Sequence, residues 1–228
     1  NAGDTCVVTA TRQATTSKYL ATTSAQLTIT VAKIAQNTAV VVPTGRTVGY
    51  GNTVDLSTFT YSGGNGTGAF VFSTSTAGCS ITGTVLTSTM AIGSNCVVAV
   101  QRDTSTNYLI SNAVNMNVQT VKGSQTVSYV TVASSVKVSE QVTVSASSTS
   151  GLTVTFALAA GSSSYCSLSG ATVTFTHVGT CVINASQSGD SNYNAATVVP
   201  LTYTVAKADQ TITFGALTDV SISAGTKS

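Results

Sequence analysis

The chain has 228 residues, of which 7% are charged and 42% hydrophobic, and its formal net charge is +2. That balance is too apolar for a disordered segment, and nine basic residues scattered singly leave no patch to neutralise a row of phosphates, which argues against nucleic acid as a partner. No apolar run approaches the roughly 20 residues that span a bilayer, and no basic segment followed by an apolar one opens the sequence as a secretory leader would.

Ser and Thr make up 73 of the 228 residues, and Thr and Val dominate where Leu, Glu and Lys are scarce. Side chains branched at Cβ fit a pleated surface better than a helix, so the expected class is all-β. Five cysteines at regular spacing in a chain this poor in charge point to an oxidising compartment, extracellular or on a cell surface.

Along the chain three landmarks return in the same order at a period of about 85 to 90 residues, a Cys, a Tyr and a Lys-x-x-Gln. Cys6, Cys96 and Cys181 each open a short alternating strand, Cys6–Ala10, Cys96–Val100 and Cys181–Ala185. Tyr19, Tyr108 and Tyr193 follow, then Lys33, Lys122 and Lys207, each Lys beginning a motif that ends in Gln36, Gln125 or Gln210. Cys79 and Cys166 precede Cys96 and Cys181 by 17 and 15 residues. One pair per repeat is implied, Cys79 with Cys96 and Cys166 with Cys181, while Cys6 is left without a mate in the sequence.

In the third repeat, period-two runs at Val142–Ala146, Leu152–Phe156, Val173–Phe175 and Leu201–Val205 predict strands with apolar residues inward and Thr outward. Gly and Ser clusters such as Gly161–Ser164 separate them at the spacing of a small sandwich of about seven strands. No Gly, Pro or Ser tract lies between Val31 and Gln36, so successive repeats are expected to abut as a stiff, nearly collinear series. The expected organisation is the C-terminal part of a repeat at 1–33, complete repeats at 34–121 and 122–206, and the N-terminal part of another at 207–228. The parent chain is expected to continue in both directions, with the mate of Cys6 about 15 to 17 residues before it by analogy with the other pairs.

The stretch from Cys181 through Gln187-Ser188-Gly189-Asp190-Ser191-Asn192-Tyr193, with Lys207-Ala208-Asp209-Gln210-Thr211-Ile212-Thr213-Phe214 opening the next repeat, resembles the bacterial immunoglobulin-like tandem repeats of large secreted and surface proteins. The resemblance is specific over 166–214 and looser elsewhere. It implies immunoglobulin-like β-sandwiches arranged end to end, serving as stalks and spacers that hold adhesive or enzymatic tips away from a cell. The second repeat departs from the pattern at Gln101–Thr106, and the first does so around Arg12 and Lys18. Drift in a spacer explains such divergence, and so does a specialised contact, to a carbohydrate or a host protein, made by those loops.

Residues for catalysis are few. The chain has one His, one Glu and six isolated Asp, and no Gly-x-Ser-x-Gly. His177, before the Val178-Gly179 turn, and Glu140, beside Gln141, read as solvated positions, and no catalytic or cofactor-binding residue is expected. Gly63–Gly68 lacks the following Lys and helix of a phosphate loop and reads as a turn. Only Asp209 lies near a boundary between repeats, so no metal site is expected. Two Cys per repeat and a single His favour disulfides over zinc, with free thiols as the other alternative. Tyr19, Tyr108 and Tyr193 are expected to be structural, and for Tyr108 and Tyr193, each in the loop between the last two strands, a buried ring with its hydroxyl bonded to nearby backbone is favoured over stacking on a ligand. The expected partners are further repeats of the same chain. Low charge at strand edges also makes lateral or end-to-end self-association conceivable.

Overall fold

The structure is a computed structural model and describes residues 1–130 and 135–216. The part of the expected further repeat at 207–228 that lies beyond residue 216 is outside the described residues. The chain divides into two units, one comprising residues 1–126 with 188–196 and the other 127–187 with 197–228.

The first unit opens with a ribbon. Its strands β1 (Thr5–Val8) and β4 (Leu27–Thr30) pair antiparallel, Cys6 opposite Ile29. Between them β2 (Thr11–Arg12) pairs with β3 (Thr22–Thr23). Val7, Leu20 and Leu27 are all exposed, so this ribbon has no core of its own.

The sandwich that follows has seven strands among the described residues: β5 (Arg46–Gly49), β6 (Thr53–Asp55), β7 (Phe70–Ser73), β8 (Cys79–Thr82), β9 (Val85–Ser88), β10 (Asn95–Arg102) and β11 (Val114–Val121). One sheet runs β5-β11-β10-β7 and the other β6-β9-β8. β5 is parallel to β11, with Val118 opposite Arg46, and the other pairings are antiparallel. Alternation does the sorting. Cys96, Val98 and Val100 on β10 are fully buried, whereas Val97 is 37% exposed. These residues meet Val48, Leu56, Leu86, Met116 and Val118 to form the core. After β6 the chain makes one 3-10 turn, Leu56–Thr58, capped by the Asp55 carboxylate accepting from the Ser57 N–H at 2.9 Å. The Ser57 hydroxyl holds that carboxyl below its usual range.

The second unit repeats the plan. Its strands are β12 (Val127–Tyr129), β13 (Ser135–Lys137), β14 (Gln141–Thr143), β15 (Ala146–Ser148), β16 (Thr155–Leu158), β17 (Cys166–Ser169), β18 (Thr172–Phe175), β19 (Gly179–Ser186) and β20 (Val199–Ala206). The sheets β13-β20-β19-β16 and β14-β18-β17 match those of the first sandwich strand for strand. β12 pairs with β15, and β13 lies parallel to β20. The chain is therefore all-β, built of immunoglobulin-like β-sandwiches in tandem.

Two sequence expectations are corrected in this unit. The run at Val142–Ala146 is split, because Gln141–Thr143 pairs with β18 while Ala146–Ser148 turns to β12. The run at Leu152–Phe156 begins late, at Thr155, because the backbone around Leu152 is bonded locally. Its C=O accepts from the Ser148 hydroxyl at 2.7 Å and its N–H donates to Ser150 Oγ at 3.3 Å, which withdraws it from the ladder.

Each sandwich carries a bond between its sheets. Cys79 on β8 is joined to Cys96 on β10, and Cys166 on β17 to Cys181 on β19, with Cα separations of 5.9 and 6.0 Å. Cys6 is free and exposed.

Candidate functional site

The recurring Lys-x-x-Gln turns out to be one piece of apparatus, seen twice within the first unit. At its first occurrence the Ile34 N–H donates to the Asn107 carbonyl at 3.0 Å, and the Leu109 N–H donates back to Ile34 at 2.9 Å. This is a two-bond parallel bridge to the loop carrying Tyr108. Gln36 then grips the same loop: its amide donates to the carbonyls of Leu109 (2.8 Å), Arg102 and Asp103 (both 3.3 Å), and its Oε1 accepts from the Gly66 N–H at 3.3 Å.

At the second occurrence the same bonds recur. Gly123 donates to Asn192 and accepts from Asn194, both at 2.9 Å, and the Gln125 amide donates to the Asn194 carbonyl at 2.7 Å. Lys122 adds a charge-assisted bond from Nζ to the Asp190 carbonyl at 2.6 Å. The loop is shaped beforehand by Asp190, whose Oδ1 accepts from the Asn192 and Tyr193 N–H groups at 2.8 Å. Asn52 completes the seat by accepting from the Ser124 N–H at 2.8 Å and donating to the Ser124 carbonyl at 3.3 Å.

The Tyr193 ring stands edge-on against Tyr50, centroids 5.5 Å apart at 87°. Its hydroxyl lies over Gly51, where an added Cβ would come within 2.6 Å of it. Gly51 also has φ +66°, a conformation that favours glycine. Gln36 and Gln125 lie 73 and 69 residues from the Leu109 and Asn194 carbonyls they hold, which is why the motif was legible as a marker and its chemistry was not.

The tyrosines differ from expectation. Tyr19 is 61% exposed, with the Arg12 guanidinium 5.4 Å from its ring centroid. Tyr108 and Tyr193 are half-buried and held through their backbone. The hydroxyl-to-backbone bonds are made instead by Tyr61, to the Leu56 carbonyl at 3.0 Å, and Tyr129, to Ile183 at 2.8 Å. Burial pushes both phenols up to about 12. Tyr203 is fully buried, and its hydroxyl has no hydrogen-bond partner among the described residues.

The divergent loop at Gln101–Thr106 turns much of its polarity inward. Arg102 stacks on Phe70 at 4.7 Å and donates to the carbonyls of Gly63 (3.1 Å) and Gly68 (2.7 Å). Gln101 donates to Ser111, and Asp103 Oδ1 accepts from the Thr104 N–H at 2.6 Å. Gly63 and Gly64 both take positive φ in the turn this arginine braces. An aromatic recess of about 450 Å³ lies beside β7, lined by Phe59, Tyr61, Phe70 and Phe72 with Ser57 and Thr84.

His177 is exposed, with Nδ1 3.2 Å from the Thr176 hydroxyl, and Glu140 accepts from the Lys137 N–H at 2.8 Å. Among the described residues no three His, Cys, Asp or Glu side chains converge as metal ligands would, and no helix is long and apolar enough to cross a membrane.

No protein-family profile matches the chain, and no curated protein is significantly similar to it. Similar solved structures include Drosophila N-cadherin EC1-4, at 11% identity over 90% of this chain and 59% of that one, with a TM-score of 0.29. Sidekick-1 immunoglobulin domains 1-5 match at 11% over 82% and 43%, with a TM-score of 0.28. The insect immune protein hemolin matches at 11% over 78% and 46%, with a TM-score of 0.30. The chain thus spans about half the length of these structures, and at such identities and TM-scores the likeness adds nothing to the fold described from the chain itself.

Proposed function

We propose that the chain is a structural or adhesive repeat segment of an extracellular bacterial surface fibre, stalk or filament, acting as a rigid spacer stapled by disulfides rather than as an enzyme. The observation that carries this reading is that an apparatus repeated along the chain, Lys-x-x-Gln with its tyrosine loop, is spent on the chain's own backbone. Repeats of one topology, each with its own core and its own bond between sheets, are what a spacer needs. On this reading 34–121 and 122–206 are complete repeats, 1–33 ends one and 207–228 begins another. Self-association along exposed strand edges is compatible with it.

Antibodies raised against the purified chain should label intact, unpermeabilised bacterial cells or their shed fibres. Labelling that appears only after lysis refutes the assignment.

A further inference from the structure

Among the described residues, the second unit carries a seat of equivalent backbone with no loop in it. A groove of about 590 Å³ is lined by Val138, Val178 and Lys207 through Gln210. Superposing the two ladders puts Val48 opposite Val136, since each lies on the strand parallel to the last one, and hence Tyr50, Gly51 and Asn52 opposite Val138, Ser139 and Glu140. The backbone agrees bond for bond. Tyr50 donates to Val121 as Val138 does to Ala206, and Gly51 donates to Ser88 as Ser139 does to Phe175. Asn52 donates to Gly49 as Glu140 does to Lys137. Gly51 and Ser139 share positive φ, +66° and +76°.

Counted on from these ladders, Lys207, Ala208 and Gln210 take the register positions of Lys122, Gly123 and Gln125 in the first unit. There the three residues hold loop 188–196, whereas Ala208 and Gln210 are exposed and have no hydrogen-bond partner among the described residues. Asp209 forms an exposed ion pair with Lys137.

We infer that this groove is a docking seat for a tyrosine-bearing loop of a following immunoglobulin-like repeat, of the Gly189–Asn194 type. The inference rests on the tandem-repeat reading above and names the partner of its recurring apparatus. Ala208 donates to the carbonyl before the tyrosine and accepts from the N–H after it, Gln210 donates to the carbonyl after it, and Lys207 to the carbonyl three residues before it. A Cβ added at Gly123 would come within 2.3 Å of the Tyr50 carbonyl oxygen, so Ala208 has to stand farther off Val138 than Gly123 does off Tyr50, while Ile34 shows that a residue with a side chain still makes the bridge to a tyrosine loop. Ser139 is a selective element. Its Cβ falls where the Tyr193 hydroxyl lies over Gly51, so the docked ring is turned away from the position Tyr193 adopts.

The test uses the intact chain and a hairpin peptide of residues 185–199, closed by a disulfide between cysteines placed at its ends, which face each other in the β19–β20 ladder. Titration of the labelled chain should shift the amides of Val138, Ala208 and Gln210, saturating at or below about 1 mM. Gln210→Ala should weaken binding about fivefold, and Ser139→Gly should tighten it about threefold by admitting the ring. Saturable shifts confined to other surfaces, or binding indifferent to Gln210→Ala, overturn the inference. If the free hairpin does not bind, the chain extended after Ser228 by a second copy of residues 144–206 decides. An Ala208 amide as slow to exchange as that of Gly123 supports docking. An Ala208 amide that exchanges freely while the added cysteines pair overturns docking and leaves the spacer reading standing. Added cysteines that fail to pair refute the repeat reading, and the docking seat with it.

Discussion

Removing the Tyr203 hydroxyl should stabilise the second sandwich. The side chain is fully buried, its ring packs on Phe175 with centroids 5.1 Å apart, and its oxygen has no hydrogen-bond partner among the described residues. A buried, unsatisfied hydroxyl costs about 1–3 kcal/mol, while the one-atom gap left by Tyr203→Phe forfeits a few tenths of a kcal/mol of dispersion, on the order of a handful of contacts. The expected net gain is about 1 kcal/mol or more. Tyr129→Phe is the matched control, because it removes a 2.8 Å bond to the Ile183 carbonyl and should cost about 1 kcal/mol. Hydrogen exchange at the Cys181 and Ile183 amides, in the buried middle of β19, reads the opening free energy of that unit alone. Tyr203→Phe should slow these amides several-fold and Tyr129→Phe should speed them by a similar factor. A tenfold acceleration by Tyr203→Phe, about 1.4 kcal/mol lost, would refute the reasoning by showing that the hydroxyl is satisfied.

Replacing Cys166 and Cys181 by Ala opens a crosslink spanning 15 residues and should cost about 3 kcal/mol on the chain-entropy estimate, read by denaturant unfolding. Gln125→Ala should leave the core intact and cost about 1 kcal/mol locally, seen as faster exchange at Gly123 and Asn194 and nowhere in β19. Burial raises the Tyr61 and Tyr129 phenols to about 12, so the folded chain holds protons that the unfolded chain releases near pH 10. Stability should be level between about pH 6 and about pH 10 and fall as pH rises through about 12, and thermal unfolding unchanged over that upper range would contradict it.

The fold was legible because β-branched residues alternate and because a crosslinked pair recurs at equal places in two repeats. Strand ends were less so. Period-two runs at 142–146 and 152–156 carry on through points where the chain changes pairing partner, and side-chain pattern does not record which neighbour the backbone takes. The anchoring phenols escaped for a different reason. Tyr61 and Tyr129 pack against Phe70 and Phe156 on equivalent strands, but they reach them from non-equivalent positions, so no repeat spacing marks them. Tyr108 and Tyr193 were marked by spacing, yet their use is of backbone rather than hydroxyl. Gln36 and Gln125 form bonds that only the closed sandwich brings within reach.

If the segment works by its length and stiffness, its surface is replaceable. In the native protein, residues 34–206 exchanged for two immunoglobulin-like domains of unrelated sequence should leave surface display and adhesion intact, provided the number of domains is kept. Loss of adhesion with display preserved would contradict the account, because it would mean that the segment's own surface makes the functional contact.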